Sequence, residues 1–447
     1  MAPHDYSYTP ELEEYQRRNP RSAARFAAAQ HVLAGGNSRL TAYFAPFPFY
    51  VERGAGYLVY DIDGNSRLDF YNNATSLILG HSNPQVSAAI IAQAEKGTAF
   101  ANPTDPEVEL ATLLTAALPS VQRLRFTNSG TEGVALAIRA ARAFTGKPKI
   151  AKLEGAYHGT SDHVSVSVSG DLSHAGSAEA PQAVPSSSGI TANTLADVVV
   201  IPFNNAAAAR RIIAQHRDEL AAVLIEPVLA GIGYVPAEAE FLESVREACN
   251  GQDTLLIFDE VQTFRMTPGG AQQWFHVIPD LTCLGKIIGG GLPVGACGGR
   301  ADIMAAFDAT KQGPAIPHGG TFNANPLTMQ AGLATMRQLT PDAYDRLNDN
   351  GLAFRHQLEE MARSYGVPIH ISGIASFFGM QLSDRPVTDY RSAQAQNTVL
   401  RQKLFLHLLN HGIYVGNKMV GNLSVPMGRS ELDHFVEAWE AFLHKVR

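Results

Sequence analysis

Cysteine is scarce in this chain: there are three in 447 residues, Cys249, Cys283 and Cys297, and none stands at CxxC spacing. That argues against a disulfide framework or a zinc site and fits a reducing compartment, so the cytoplasm is the expected location and no metal is expected. Positive charge is not in excess either. Lys and Arg number 35 against 42 Asp and Glu, a net charge of −7, which leaves no basic footprint for nucleic acid and no like-charge tail. Long apolar runs are missing, and the first twenty or so residues are polar and mixed in charge, so no membrane role is expected. No repeat with a period of about 20–50 residues recurs, which argues against solenoids and propellers.

What is present is an ordinary globular composition, 45% hydrophobic and 17% charged, on a chain long enough for two domains. Its centre is the stretch Leu281-Thr-Cys-Leu-Gly-Lys-Ile-Ile-Gly-Gly-Gly-Leu-Pro-Val-Gly-Ala296. A short apolar run delivers Lys286 to a bend, and glycines follow that free the backbone. Desolvated there, the amine becomes a nucleophile able to form a Schiff base; the alternative is a solvated lysine in a glycine loop.

From about residue 122 the pattern is strand, glycine turn, helix, repeated. Strands are expected at 123–127, 149–153, 197–201, 221–225 and 254–258, with helices at 132–144 and 237–249 between them. Apolar runs separated by helices predict a mainly parallel central sheet covered by helices, an α/β fold with ligands beyond the carboxyl ends of the strands. Four sets of residues fall there. The turn Asn128-Ser-Gly-Thr131 opens a helix, so free backbone N–H groups, Gly130 and the hydroxyls of Ser129 and Thr131 make a place for a phosphate, unless the hydroxyls only cap the helix. Tyr157 and His158, flanked by glycines, suit stacking on a planar ligand, or loop packing. Glu226 and Asp259 follow apolar strands, where an acid is costly to bury without a cationic or protonated partner. Residues 161–193 form a long Ser-, Ala- and Gly-rich loop, a lid or a mobile segment.

Outside this region, Arg39 sits in a glycine-bounded loop beside Tyr43-Phe-Ala-Pro-Phe-Pro-Phe-Tyr50, placed for a carboxylate or simply on the surface. A hairpin is expected around Asp63-Gly-Asn65. Past about 330 the pattern becomes α+β, with helices at 342–365 and 391–409, strands at 376–382, 412–415 and 422–426, and a closing helix from 431.

A phosphate cradle, an aromatic stacker, an acid at a strand end and a Schiff-base lysine together describe a site for pyridoxal 5'-phosphate. Asn128-Ser-Gly-Thr-Glu132, Tyr157-His-Gly159, Glu226-Pro227, Asp259-Glu-Val-Gln262, Gly285-Lys286 and Gly320-Thr-Phe322 stand in the order seen in class III aminotransferases, which the chain resembles over almost its whole length. The resemblance implies pyridoxal-phosphate fold type I: 1–74 an N-terminal segment joining the small domain, 75–328 the large cofactor-binding domain, 329–447 the C-terminal small domain. It implies Lys286 as the Schiff-base and proton-shuttling residue and Asp259 on the ring nitrogen. Val261 and Tyr157 would lie on the two ring faces, with Ser129, Gly130 and Thr131 on the phosphate and Gln262 near the phenolic oxygen; His158 and Glu226 belong to the same motifs. Thr321 would reach the phosphate of a neighbouring subunit, which implies a homodimer with shared sites.

Two subfamilies compete. The Lys286 stretch is very similar to that of glutamate-1-semialdehyde 2,1-aminomutase, and 161–193 looks like its gating loop. Gly36-Asn-Ser-Arg39 with Tyr43-Phe-Ala-Pro-Phe-Pro48 resembles aminotransferases of β-amino acids such as β-phenylalanine, which implies Arg39 on the substrate carboxylate and Lys418 near the oxo-acid co-substrate. Three departures stand out: Thr263-Phe264-Arg265 lacks the usual glycine, Asn417-Lys-Met419 lacks the aminomutase acid, and Lys418 replaces an arginine. The expected activity is transfer of an amino group from a β-amino acid or related amine to an oxo acid, with intramolecular transfer as the alternative.

Overall fold

Seven short strands make the central sheet of this computed structural model, which describes residues 10–251, 253–310 and 313–447. In chain order they are β1 (Arg123–Thr127), β2 (Lys149–Leu153), β3 (Val198–Ile201), β4 (Leu220–Ile225), β5 (Leu255–Asp259), β6 (Leu281–Gly285) and β7 (Gly295–Gly299). Their spatial order is β1-β7-β6-β5-β4-β2-β3. Six run one way, and β7 lies antiparallel between β6 and β1. Val and Ile fill β3, Leu, Val, Ile and two alanines fill β4, and both are buried throughout, as a sheet covered on both faces requires. The expected strands appear within a residue or two. The exception is β7, whose sequence Gly-Ala-Cys-Gly-Gly carries no strand signal. Its smallness is a packing requirement: helix α1 (Gly130–Thr145) lies so close that a Cβ on Gly295 would collide with the Ser129 carbonyl, and one on Gly133 would stand 2.8 Å from the Ala296 carbonyl oxygen.

Chain contacts separate two units: one of Met1–Asn83, Asp349–Pro386 and Ala395–Arg447, the other of Pro84–Asn348 and Val387–Gln394. The second holds the seven-stranded sheet. The first holds a four-stranded sheet, in which Leu58–Asp61 and Ser66–Asp69 form the expected hairpin, Val51–Ala55 adds a second, unexpected one with Leu58–Asp61, and Ile413–Tyr414 joins in parallel to Ser66–Asp69. A three-stranded sheet (His370–Ser372, Phe377–Gln381, Val420–Asn422) accompanies it. Its core includes Phe70, Phe354, Phe378 and Phe435, edge to face or stacked with ring centroids 5.1–6.1 Å apart. The helix expected over 391–409 begins only at Thr398, because Asn397 Oδ1 accepts the Leu400 N–H and caps it there; a 3₁₀ turn, Ser392–Ala395, precedes it. The strand expected over 422–426 is shifted to Val420–Asn422, where its register with Phe377–Gln381 ends.

Asn72, Asn73, Ala74 and Thr75 are consecutive residues with φ of 48°, 48°, 55° and 77°. Left-handed backbone costs an L-residue about 1–2 kcal/mol, so this turn is held by its surroundings. No helix among the described residues is long and apolar enough to cross a membrane.

Candidate active site

The carboxyl ends of the parallel strands gather most of the residues expected in the site. Asp259 is the last residue of β5 rather than the first after it, and is buried. Its Oδ1 accepts the Val261 N–H at 3.1 Å, and its Oδ2 meets His158 Nδ1 at 2.8 Å. Burial pushes the His158 pKa down, outweighing the Asp259 carboxylate that raises it. His158 is therefore a neutral imidazole that donates Nδ1–H to Asp259, and its buried Nε2 has no partner among the described residues. An imidazole so placed fixes the carboxylate's orientation without cancelling its charge.

Glu226 ends its own strand run fully inside. Its carboxylate accepts the Tyr157 N–H at 3.2 Å and the Gln262 side-chain amide at 3.3 Å, and burial, with Asp259 nearby, pushes its pKa up to about 8 despite the opposing charge of Lys286. Gln262 is fixed from its other end by the Tyr234 hydroxyl at 3.3 Å. Val261 lies with its methyl groups against Gly130 and Gly285, where a Cβ would stand 2.9 and 3.2 Å away. Tyr157 keeps 48% of its surface exposed, as a stacking platform requires.

Lys286 follows β6 directly, opening the 3₁₀ turn Lys286–Gly289 with φ of 52°. A non-glycine residue held in that region is strained, and such strain collects where a side chain must be aimed. Ser129 caps α1, its hydroxyl accepting the Glu132 N–H at 3.2 Å, so the capping role is real; the backbone N–H groups ahead of Glu132 are the candidate anion donors. Thr131 stands so near Gly159 that any Cβ there would clash with it, joining the turn that opens α1 to the Tyr157–His158 turn. Thr321 is exposed, and beside it Asn323 Oδ1 accepts from the Asn128 amide at 2.8 Å.

Pyridoxal phosphate fits these residues: a helix start beside glycine, a buried acid with an orphaned imidazole nitrogen behind it, a valine and a tyrosine for the ring faces, and a strained lysine. Arg39 and Lys418 belong to the other unit, both exposed, Arg39 donating from Nη1 to Asn73 Oδ1 at 2.6 Å.

Sequence reading missed three supports. Lys152, fully buried in β2, donates to the carbonyls of Leu153 and Val166 at 3.0 and 2.8 Å, and burial brings its pKa down to about 7; a charged residue in a strand covered on both faces was the available signal. Tyr234 gave none. Arg391, on the peptide Val387–Gln394, forks onto Glu154 at 2.9 and 3.0 Å and onto the carbonyls of Ala175 and Gly176. Beside it the Tyr390 ring covers Gly155, and the Tyr390 hydroxyl accepts the Gly170 N–H. The 161–193 segment is thus pinned, with 3₁₀ turns at Asp162–Val164 and Leu172–His174 and a ribbon pairing Gly176–Ser177 with Ala180–Pro181. The Arg265 that follows the missing glycine is fully buried near Tyr234 and Tyr344.

The profile of the family described as Aminotransferase class-III matches residues 42–427. Glutamate-1-semialdehyde 2,1-aminomutase 2 of Bacillus pumilus is 38% identical over 96% of this chain and 99% of its own. Among solved structures, an omega-transaminase from Sphaerobacter thermophilus superposes with a TM-score of 0.91 and 48% identity over 95% of this chain and 97% of its own. A β-phenylalanine aminotransferase from Variovorax paradoxus gives 0.88 and 36%, over 97% and 96%. Site geometry and likeness agree, and the chain belongs to the class III aminotransferases, enzymes of pyridoxal-phosphate fold type I.

Proposed function

We propose that this enzyme moves the amino group of a β-amino acid of the β-phenylalanine kind, or of a related aryl amine, to an oxo acid in two half-reactions at one site. The observation that carries the reading is the 48% identity with an omega-transaminase, above the 38% and 40% shared with aminomutases. Pyridoxal phosphate, when bound, supplies an electron sink for the carbon that bears the amino group. The first turn of α1, with Ser129, Gly130 and Thr131, would hold its phosphate, and Lys286 would anchor it through Nζ. Asp259 keeps a proton on the ring nitrogen, and His158, donating Nδ1–H, holds that carboxylate in place. Tyr157 and Val261 cover the ring faces, while Glu226 fixes Gln262 beside the phenolic oxygen. Lys286 Nζ would also be the group that moves the proton off the amino-bearing carbon. Arg39 takes the donor's carboxylate and Lys418 assists the oxo acid. Thr321 serves the phosphate of a second copy, so the enzyme works as a homodimer, and three free buried cysteines suit the cytoplasm.

The aminomutase name of the Bacillus relative favours a second reading, intramolecular amino transfer. One half-reaction separates them. Holoenzyme mixed with racemic β-phenylalanine and no acceptor loses its visible absorbance and releases one oxo acid per site under the first reading. Under the second it does not respond, and glutamate 1-semialdehyde turns over without any acceptor.

A further inference from the structure

The left-handed run Asn72–Thr75 is unusual because two of its residues, Ala74 and the β-branched Thr75, have no local preference for that backbone. It is locked from its buried side. Asp69 Oδ1 accepts the Tyr71 and Asn72 N–H groups at 2.9 and 2.8 Å, Asn72 Nδ2 donates to the Asn422 carbonyl at 2.9 Å, and Leu77 N–H closes onto the Asn72 carbonyl at 3.1 Å. Asn72 and Thr75 are fully buried, whereas Asn73 is turned outward. Its amide cannot rotate freely: Nδ2 donates to Ser76 Oγ at 3.0 Å, which leaves Oδ1 to accept from Arg39 Nη1 at 2.6 Å. Arg39 is led there by its own backbone N–H, held by Asn37 Oδ1 at 2.8 Å. Its charge is felt by the Tyr71 and Tyr414 phenols, and the Tyr71 hydroxyl bonds to Thr41. The segment bearing Lys418 is stitched to the same place, since Asn417 Nδ2 donates to the Tyr43 carbonyl at 2.8 Å.

We propose that Asn73 is a positioning residue: the left-handed turn aims its Oδ1 at one arm of the Arg39 guanidinium, so that the remaining arm of the fork is pre-set for a substrate carboxylate. The inference rests on the reading of Arg39 as the carboxylate anchor. A neutral amide suits the task, because it accepts one N–H without cancelling the charge that attracts the substrate. A carboxylate in its place would pair with Arg39 and compete. Fixing a long, flexible side chain in advance removes part of the ordering cost of binding.

The test compares Asn73→Gly, Asn73→Asp and Arg39→Ala holoenzymes with the parent. Glycine accepts φ of 48° and so keeps the turn while deleting the amide. The readouts are KM and kcat for β-phenylalanine and the inhibition constant of 3-phenylpropionate, which carries the carboxylate and no amine. Asn73→Gly is expected to raise KM and the inhibition constant about tenfold, as loss of a hydrogen bond to a charged group does, with the loss falling on KM rather than kcat. Asn73→Asp should raise them further. Parental constants in both Asn73 variants, with Arg39→Ala impaired, overturn the inference and leave the carboxylate reading standing. Parental constants in Arg39→Ala overturn that reading and the inference with it.

Discussion

Asp259 and Arg39 are held in opposite ways. The acid sits at the end of a strand buried on both faces, inside a closed set of partners that includes His158, and Glu226 and Gln262 stand nearby in similar enclosure. The arginine lies exposed after a glycine turn, and what aims it is a strained backbone run and one amide. The difference teaches where each kind of chemistry is stored. The proposed cofactor groups ride on apolar strands whose positions the sheet dictates, so they tolerate little change. The candidate carboxylate anchor rides on loops, where a few substitutions re-aim it.

The comparison breaks first if the groups at the strand ends of the central sheet are not catalytic. Lys286→Ala should lower the half-reaction rate by about 10⁴-fold or more and remove the visible absorbance, both read in one stopped-flow trace. Next in size is Arg391→Ala, which strands the buried Glu154 carboxylate without its fork. Leaving one partner of a buried pair alone costs about 3–5 kcal/mol. Arg391→Lys should recover part of it, since the charge remains but not the planar fork; denaturant midpoints at constant slope measure both.

Lys152 sharpens the picture through pH. Its folded pKa is depressed to about 7 from 10.5, so its contribution is fully present above the unfolded value and is lost as pH falls toward 7. Glu226, raised to about 8 from 4.5, works the other way, its contribution present at low pH and lost as pH rises through 8, and both proteins carry it. Lys152→Met should therefore give a chemical-denaturation profile whose deficit against the parent widens from pH 7 to pH 10. A constant deficit would mean that the lysine keeps its ordinary pKa in the fold. The smallest effect is expected at Ala74→Gly, where relief of left-handed backbone and loss of unfolded-state stiffness nearly offset, for a gain of at most about 1 kcal/mol in thermal melts.

The cofactor half was legible in the sequence because its signals are local. Apolar runs ending in Glu226 or Asp259, and a glycine turn ahead of α1, are read within ten residues or so. β7 was illegible because glycine and alanine spell a strand only when a helix is known to press on it. Arg391 was illegible for a different reason: Glu154 lies 237 positions away, and nothing near either residue names the other. The Asn72–Thr75 turn was half legible, two asparagines admitting left-handed backbone and Ala74 and Thr75 denying it.

The interleaving of the two units has a consequence for synthesis. All seven strands of the central sheet have been synthesised by Gly299, so the cofactor unit has its sheet early. The first unit begins earlier and finishes last: Ser66–Asp69 must wait for Ile413–Tyr414 before that sheet is complete. A nascent chain therefore carries an unpaired strand edge through most of translation, and truncation of the last few dozen residues should harm the beginning of the protein more than its middle.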